Sequence, residues 1–366
     1  MNIVFRTDAS FNIGTGHVMR CLTLADELRQ KGTDINFICR EEPGNMISYI
    51  KNRGYKVHQL PGEIDIETDR RLTKEILSKY ETKSDWLIID HYDIDISYES
   101  PLRDHVKMIM VIDDLANRKH DCDLLLDQSH SKYDNRYNDL VPEDCIQLLG
   151  PKCALLRPQF QMARVNLRKM DGGVNRILVF MGGADSNKIT SKALRAIHML
   201  DRSEIATDVV IGNLNPYYNE IKTLTSKIPN TICHHNVENM TKLMSSADLC
   251  IGAGGTTTWE RCCVGLPTIT IILAENQKNI SESLDKDGAL INLGWYQNVT
   301  ENNIKEVIEG LINNPQKMAS MSDKSRSLVD GEGVIRVVDT ITSIFDNINK
   351  YEFTLKKELA IKKKPK

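Results

Sequence analysis

Short apolar runs alternate with amphipathic segments along almost the whole chain, and the cycle runs through twice. Parallel strands joined by crossover helices produce this rhythm. In the first cycle, residues 3–5, 35–39, 86–89, 108–112 and 124–126 read as buried strands, each followed by a polar or Gly-rich turn. The first helix carries Val18, Cys21, Leu22, Ala25 and Leu28 on one face, and Gly32 ends it. A second cycle opens near Asn175, with strands expected at 176–181, 208–211, 231–234, 249–251 and 268–273.

A chain of 366 residues is too long for one ordinary domain and fits two. The expected organisation is an N-terminal domain over 1–150, a connector over 151–175 and a C-terminal domain over 176–350. The connector is bounded by proline, carries a basic helix and ends in Asp171-Gly172-Gly173. The fold class is α/β, with two Rossmann-like, doubly wound parallel sheets facing each other. A ligand then sits in the cleft, at the carboxyl ends of both sheets. Residues 334–349 read as a late helix packed on the body, and the Lys-rich residues 351–366 as a frayed, solvated tail. No long-period repeat is visible, so a solenoid is not expected.

Hydrophobic residues make up 41% and charged residues 27%, which leaves enough apolar material for two cores. A net charge of -3 gives no electrostatic case for nucleic acid or a membrane as partner. No apolar run reaches the roughly 18 residues of a membrane span. The opening residues MNIVFRTD enter a strand directly, without a secretion signal, so a cytoplasmic protein is expected. Nine scattered cysteines, odd in number and without CxxC spacing, fit core residues in a reducing compartment better than zinc ligands or a disulfide framework.

Four segments carry candidate chemistry. The first is Asp8 followed by Gly14-Thr15-Gly16-His17, where strand gives way to helix. In the first turn of that helix the positive end of the dipole disfavours imidazolium, so His17 would stay neutral and accept a proton from water. A dinucleotide fingerprint would need glycine at position 19, where Met19 stands. The second is Asp90-His91-Tyr92-Asp93, at the abrupt end of an apolar strand. Tyr92 is expected to orient a sugar hydroxyl or a water. Asp90 is either cleft-facing or a helix cap, and His91 a supporting group. The third is Gly182-Gly183-Ala184-Asp185-Ser186-Asn187, a strand-to-helix turn with backbone donors for phosphate, or simply a tight turn. The fourth is Gly254-Gly255-Thr256-Thr257-Thr258-Trp259-Glu260, then Asn276-Gln277 after the next strand. Its glycines and threonines supply donors for a diphosphate. Glu260 can accept both hydroxyls of a ribose, or merely complement the helix dipole. No lysine-bearing phosphate loop is present, which argues against ATP or GTP hydrolysis of that type.

Taken together, FRTDASFNIGTGHVMRCLTLADEL, IIDHYDID, FMGGADSNK, GAGGTTTWE and AENQKN resemble the UDP-2,4-diacetamido-2,4,6-trideoxy-β-L-altropyranose hydrolase family of pseudaminic acid biosynthesis. The resemblance covers roughly residues 1–300, with the motifs in the family's order. It implies a GT-B fold and inverting hydrolysis of the anomeric C–O bond by water, with release of UDP. It also implies His17 as base, Tyr92 near sugar and water, Glu260 on the ribose and Asn276 on the substrate. No metal or cofactor is implied. The expected substrate-binding set is Asp8, Gly14, Gly16, Asp90, Gly182, Gly183, Asn187, Gly254, Gly255, Thr256, Thr257, Glu260, Asn276 and Gln277, with His17 and Tyr92 catalytic. The expected partners are a UDP-sugar and water, and the chain is expected to be monomeric. Three other readings stay open: a glycosyltransferase of the same fold, a hydrolysing UDP-sugar 2-epimerase, and a non-catalytic nucleotide-sugar binder.

Overall fold

A computed structural model describes residues 1–131, 135–167, 172–212, 214–235, 237 and 239–362, with side chains to Lys350. Two parallel sheets form the frame. The first takes β1 (Asn2–Thr7), β2 (Asp34–Arg40), β3 (Lys56–Leu60), β4 (Ser84–Asp90), β5 (Val106–Ile112), β6 (Leu124–Asp127) and β7 (Ile146–Leu149) in the order β3-β2-β1-β4-β5-β6-β7. The second takes β8 (Arg176–Phe180), β9 (Ala206–Ile211), β10 (Thr231–His235), β11 (Leu249–Ala253), β12 (Thr268–Ile272) and β13 (Ile291–Trp295) in the order β10-β9-β8-β11-β12-β13. Both are doubly wound α/β sheets, as their strand rhythm predicts.

The ten expected strands all form. Three more were not read from the sequence, namely β3, β7 and β13. All three lie at sheet edges, and the residues of β3 and β7 are mixed in polarity and partly exposed. An edge strand is covered less completely, so it lacks the continuous apolar run that marks a strand buried on both faces.

The order reverses between β1 and β4 in the first sheet and between β8 and β11 in the second. At such a switch point the connections leave to opposite faces and open a crevice at the carboxyl ends of the strands. The four chemical segments all leave strands there: after β1, β4, β8 and β11, with Asn276 and Gln277 after β12.

Each sheet has its own core. Phe5, Leu24, Phe37 and Trp86 belong to the first, Val179, Leu194, Ile251 and Ile271 to the second. The chain then crosses back. Val334, Val337, Val338 and Ile341 of the last helix (Gly333–Lys362) pack into the first core, against the helix Gly16–Gln30. The connector helix Pro158–Val165 does the converse, burying Phe160 among Trp259, Cys263 and Leu266. The expected frayed tail is helical in its backbone through Lys362. Leu, Lys, Glu and Ala are good helix formers, and the segment meets no glycine or proline before Pro365. Residues 363–366 lie outside the described set.

Candidate active site

His17 stands in the first turn of Gly16–Gln30 and is buried. Its Nδ1 lies 2.5 Å from Oδ1 of Asp90, the last residue of β4. Asp90 also accepts from Arg20 Nε and Nη2, both at 2.6 Å. Burial pushes the Asp90 carboxyl up, but Arg20 and then His17 outweigh it and hold the group well below the ordinary carboxylate range. An ionised Asp90 only accepts, so His17 donates Nδ1–H to it. That tautomer leaves Nε2 as the nitrogen able to take a proton.

A carboxylate hydrogen bond at Nδ1 orients the imidazole. Asp90, expected in the binding set, has both oxygens engaged by His17 and Arg20 and is 1% exposed.

Tyr92 meets His17 edge to face, ring centroids 4.6 Å apart. Burial, reinforced by the charge of Asp114, raises the phenol above its ordinary range, so it stays protonated. The hydroxyl donates to Asp114 Oδ2 at 3.4 Å and accepts from Asn276 Nδ2 at 3.0 Å. This last bond joins the two domains at the cleft.

Asp8, expected in the binding set, is likewise engaged within its own domain. It is 1% exposed and bound to Arg6, to the Arg40 backbone N–H at 2.7 Å and to His91 Nε2 at 3.3 Å. A carboxylate this deep needs fixed positive partners, and Arg6 supplies the strongest. His91 thus sits beside Asp8 at the strand end.

The facing loops come together as expected. A Cβ on Gly16 would lie 3.3 Å from Thr256 Oγ1, and one on Gly183 would lie 3.2 Å from Thr15 Oγ1. Gly14 and Gly182 adopt φ of +81° and +86°, so both positions need glycine for the turn itself. Asn187 is exposed on the turn after Gly183. Thr257 opens the short helix Thr257–Cys263. Gln277 acts on the loop: its Oε1 accepts from Gly254 N at 3.2 Å and Leu273 N at 3.0 Å, and Nε2 lies beside Gly255.

Three contributors were not legible in the sequence reading. Arg20 neutralises Asp90. Arg261, buried behind the glycine–threonine turn, donates to Ala253 O at 2.7 Å and Thr258 Oγ1 at 2.9 Å, which stiffens the turn and sets a positive charge behind it. Arg157 of the connector bonds Glu260 Oε1 at 3.0 Å. Burial still pushes the Glu260 carboxyl up, and Arg157 offsets it only in part. One sequence signal existed for Arg20 alone: it lies one helical turn after His17, on the same face.

Among the described residues, no three His, Cys, Asp or Glu side chains converge as a metal site, and no helix is long and apolar enough to cross a membrane.

MurG of Acinetobacter baumannii matches with a TM-score of 0.66 over 93% of this chain and 99% of its own, at 15% identity. The glycotransferase of kitacinnamycin matches at 0.63 over 93% and 98%, at 14% identity. The chain has the GT-B fold. Residues 176–335 of the GT-B chain match the glycosyltransferase family 28 C-terminal domain. The spore coat polysaccharide biosynthesis protein SpsG of Bacillus subtilis is 24% identical, over 94% of this chain and 99% of SpsG. The UDP-2,4-diacetamido-2,4,6-trideoxy-beta-L-altropyranose hydrolase of Campylobacter jejuni is 28% identical, over 79% of this chain and 97% of that enzyme. The GT-B chain is thus related along most of its length to sugar-handling proteins, at least one of them named as acting on a UDP-linked sugar.

Proposed function

We propose that this protein hydrolyses a UDP-linked sugar at the anomeric C–O bond, with His17 as general base. The observation that carries the reading is the His17–Asp90 pair, its imidazole oriented by Nδ1 and carried on a helix start that faces the Thr256 turn.

In this reading the glycine–threonine turn holds the diphosphate with backbone N–H groups and hydroxyls, Arg261 adds charge behind it, and Glu260 accepts from the ribose. The cavity at the domain contact measures only about 40 Å³, whereas ligand pockets span roughly 300–1,000 Å³. In this reading the domains part to admit the ligand and close on it. Closure excludes water other than the one to be activated.

His17 Nε2 then takes a proton from that water as its oxygen bonds to the anomeric carbon. The C–O bond to UDP breaks, and its electron pair leaves on the diphosphate. Asp90 stabilises the imidazolium through Nδ1–H. UDP is a good leaving group, so donors to its oxygens can replace a general acid. Attack opposite UDP, with no covalent intermediate, inverts the anomeric centre. Tyr92, neutral and held between Asp114 and Asn276, serves as a hydroxyl contact for water or sugar and not as a base. The likeness to the Campylobacter enzyme supports a 2,4-diacetamido-2,4,6-trideoxy sugar as the substrate class.

A second reading, transfer to an acceptor hydroxyl, is favoured by the family 28 C-terminal domain and the MurG-like fold. The two differ in what reaches the anomeric carbon. Mass spectrometry of products from a panel of UDP-sugars in ¹⁸O-labelled water separates them. Hydrolysis at carbon gives free sugar carrying ¹⁸O, and unlabelled UDP. Label in UDP means attack at phosphorus and overturns the mechanism. No turnover until an acceptor is added supports transfer.

The ribose role of Glu260 has its own test. Removing a charged hydrogen-bond acceptor of a ligand costs about 1.5–3 kcal/mol. Glu260→Ala is therefore expected to raise the Kd for UDP about 10- to 100-fold in calorimetry. An unchanged Kd removes Glu260 from the ribose.

A further inference from the structure

Gln128 follows β6 at the carboxyl edge of the first sheet and is 4% exposed. Its Oε1 accepts the backbone N–H of Leu155 at 2.7 Å. That bond fixes the amide's orientation, since the NH₂ end cannot accept. Nε2 is thereby committed, yet among the described residues it is buried without a hydrogen-bond partner. The side chain lines the same small cavity as Gly16, Arg157, Thr256 and Glu260. Buried amide donors are nearly always paired, so an unpaired one at a ligand cleft calls for an acceptor.

The chemistry of Glu260, which lines the same cavity, says which acceptor. Glu260, as the ribose acceptor of the proposed function, takes the hydrogens of a vicinal diol and leaves the diol oxygens with unused lone pairs. A donor on the other side of the diol completes the set, and Nε2 of Gln128 is such a donor. We propose that Gln128 donates Nε2–H to a ribose hydroxyl of UDP held by Glu260. The inference rests on the ribose reading of Glu260. Because Gln128 belongs to the first sheet and Glu260 to the second domain, the ribose becomes a contact shared by both, and nucleotide binding favours the closed cleft. Gln128 is then a substrate-positioning residue supplied by the domain that also carries the base.

Calorimetry on the full chain tests this with UDP and with 2′,3′-dideoxy-UDP, which lacks both hydroxyls. One neutral hydrogen bond corresponds to about a 3- to 10-fold change in affinity. Gln128→Leu is expected to raise the Kd for UDP by that factor and leave the Kd for dideoxy-UDP unchanged. Should the leucine variant not fold, Gln128→Glu keeps an acceptor for Leu155 N and removes the donor, and it should lose UDP affinity by at least as much. An equal loss for both nucleotides in Gln128→Leu would mean that Gln128 only anchors the connector, and the proposal falls. It falls alone if Glu260→Ala weakens UDP binding while both Gln128 variants bind UDP as the unaltered protein does. If Glu260→Ala has no effect on UDP, the ribose reading falls and takes this inference with it.

Discussion

His17→Ala is expected to lower kcat for the proposed UDP-sugar hydrolysis by ~10²–10⁴-fold, the usual worth of a positioned general base, and to leave the Kd for UDP within about twofold. The split follows from the architecture. His17 sits at the β1–β4 switch point of the first sheet, whereas the proposed diphosphate contacts leave β11 in the second. Losing the imidazole removes the acceptor for the water proton but no donor to UDP. Turnover that survives comes from the bound geometry and the diphosphate contacts, which do not need the base. Alanine also removes the edge-to-face contact with Tyr92 and leaves Asp90 with Arg20 as its remaining side-chain partner of short distance. His17→Gln, which keeps a polar group opposite Asp90, distinguishes packing from chemistry. Both variants should lose kcat alike and melt within a few degrees of the parent. Single-turnover kinetics with saturating UDP-sugar makes the comparison, and wild-type turnover in either variant ends the role of His17 as base.

Asp69→Ala destabilises the first domain by about 3–5 kcal/mol at neutral pH, the cost of breaking a buried ion pair from one side. Asp69, fully buried on the helix Ile66–Leu77, accepts from Arg6 Nε at 3.1 Å and Nη2 at 2.5 Å, Arg40 Nε at 2.5 Å and Tyr98 Oη at 2.6 Å. Its loss leaves two buried guanidinium groups sharing Asp8. The same network predicts the pH dependence. Burial alone would raise the Asp69 carboxyl, but Arg6 overrides it and holds the group below its ordinary range. A carboxyl depressed in the folded state stabilises fully above the unfolded value, about 3.9, and loses that stabilisation as the pH falls through the folded value. The gap between parent and variant should thus be widest at neutral pH and shrink below about pH 4. Urea titrations at pH 7 and pH 3.5 measure it. A gap that is the same at both values would mean that packing, not charge, carries Asp69.

The geometry of the candidate site was only half legible before folding. GTGH at the start of a helix marked His17 as a candidate base, and the abrupt end of an apolar strand marked Asp90 and Tyr92. Nothing local said that Asp90 and His17 meet, because they lie 73 positions apart and are joined only when β1 and β4 pair in register. Nothing local separated Asp8 from Asp90 either. Both are aspartates at strand ends, yet one closes an ion network with Arg6 and the other orients the imidazole. Arg157, Arg261 and Gln128 carried no motif, since their roles depend on which cavity or loop their neighbours enclose.

What the sequence determined alone is the α/β class, the two cycles, the ten strands buried deep enough to read as apolar runs, and the segments that end at the cleft. Those properties follow from hydrophobic periodicity and turn chemistry, which are local. Tertiary structure decided the edge strands, the crossing of the last helix onto the first core, the partner of each buried charge and the pairing of His17 with Asp90. Each of these is a choice between remote groups competing for the same burial, and it is settled by which desolvated charge finds an opposite one nearby.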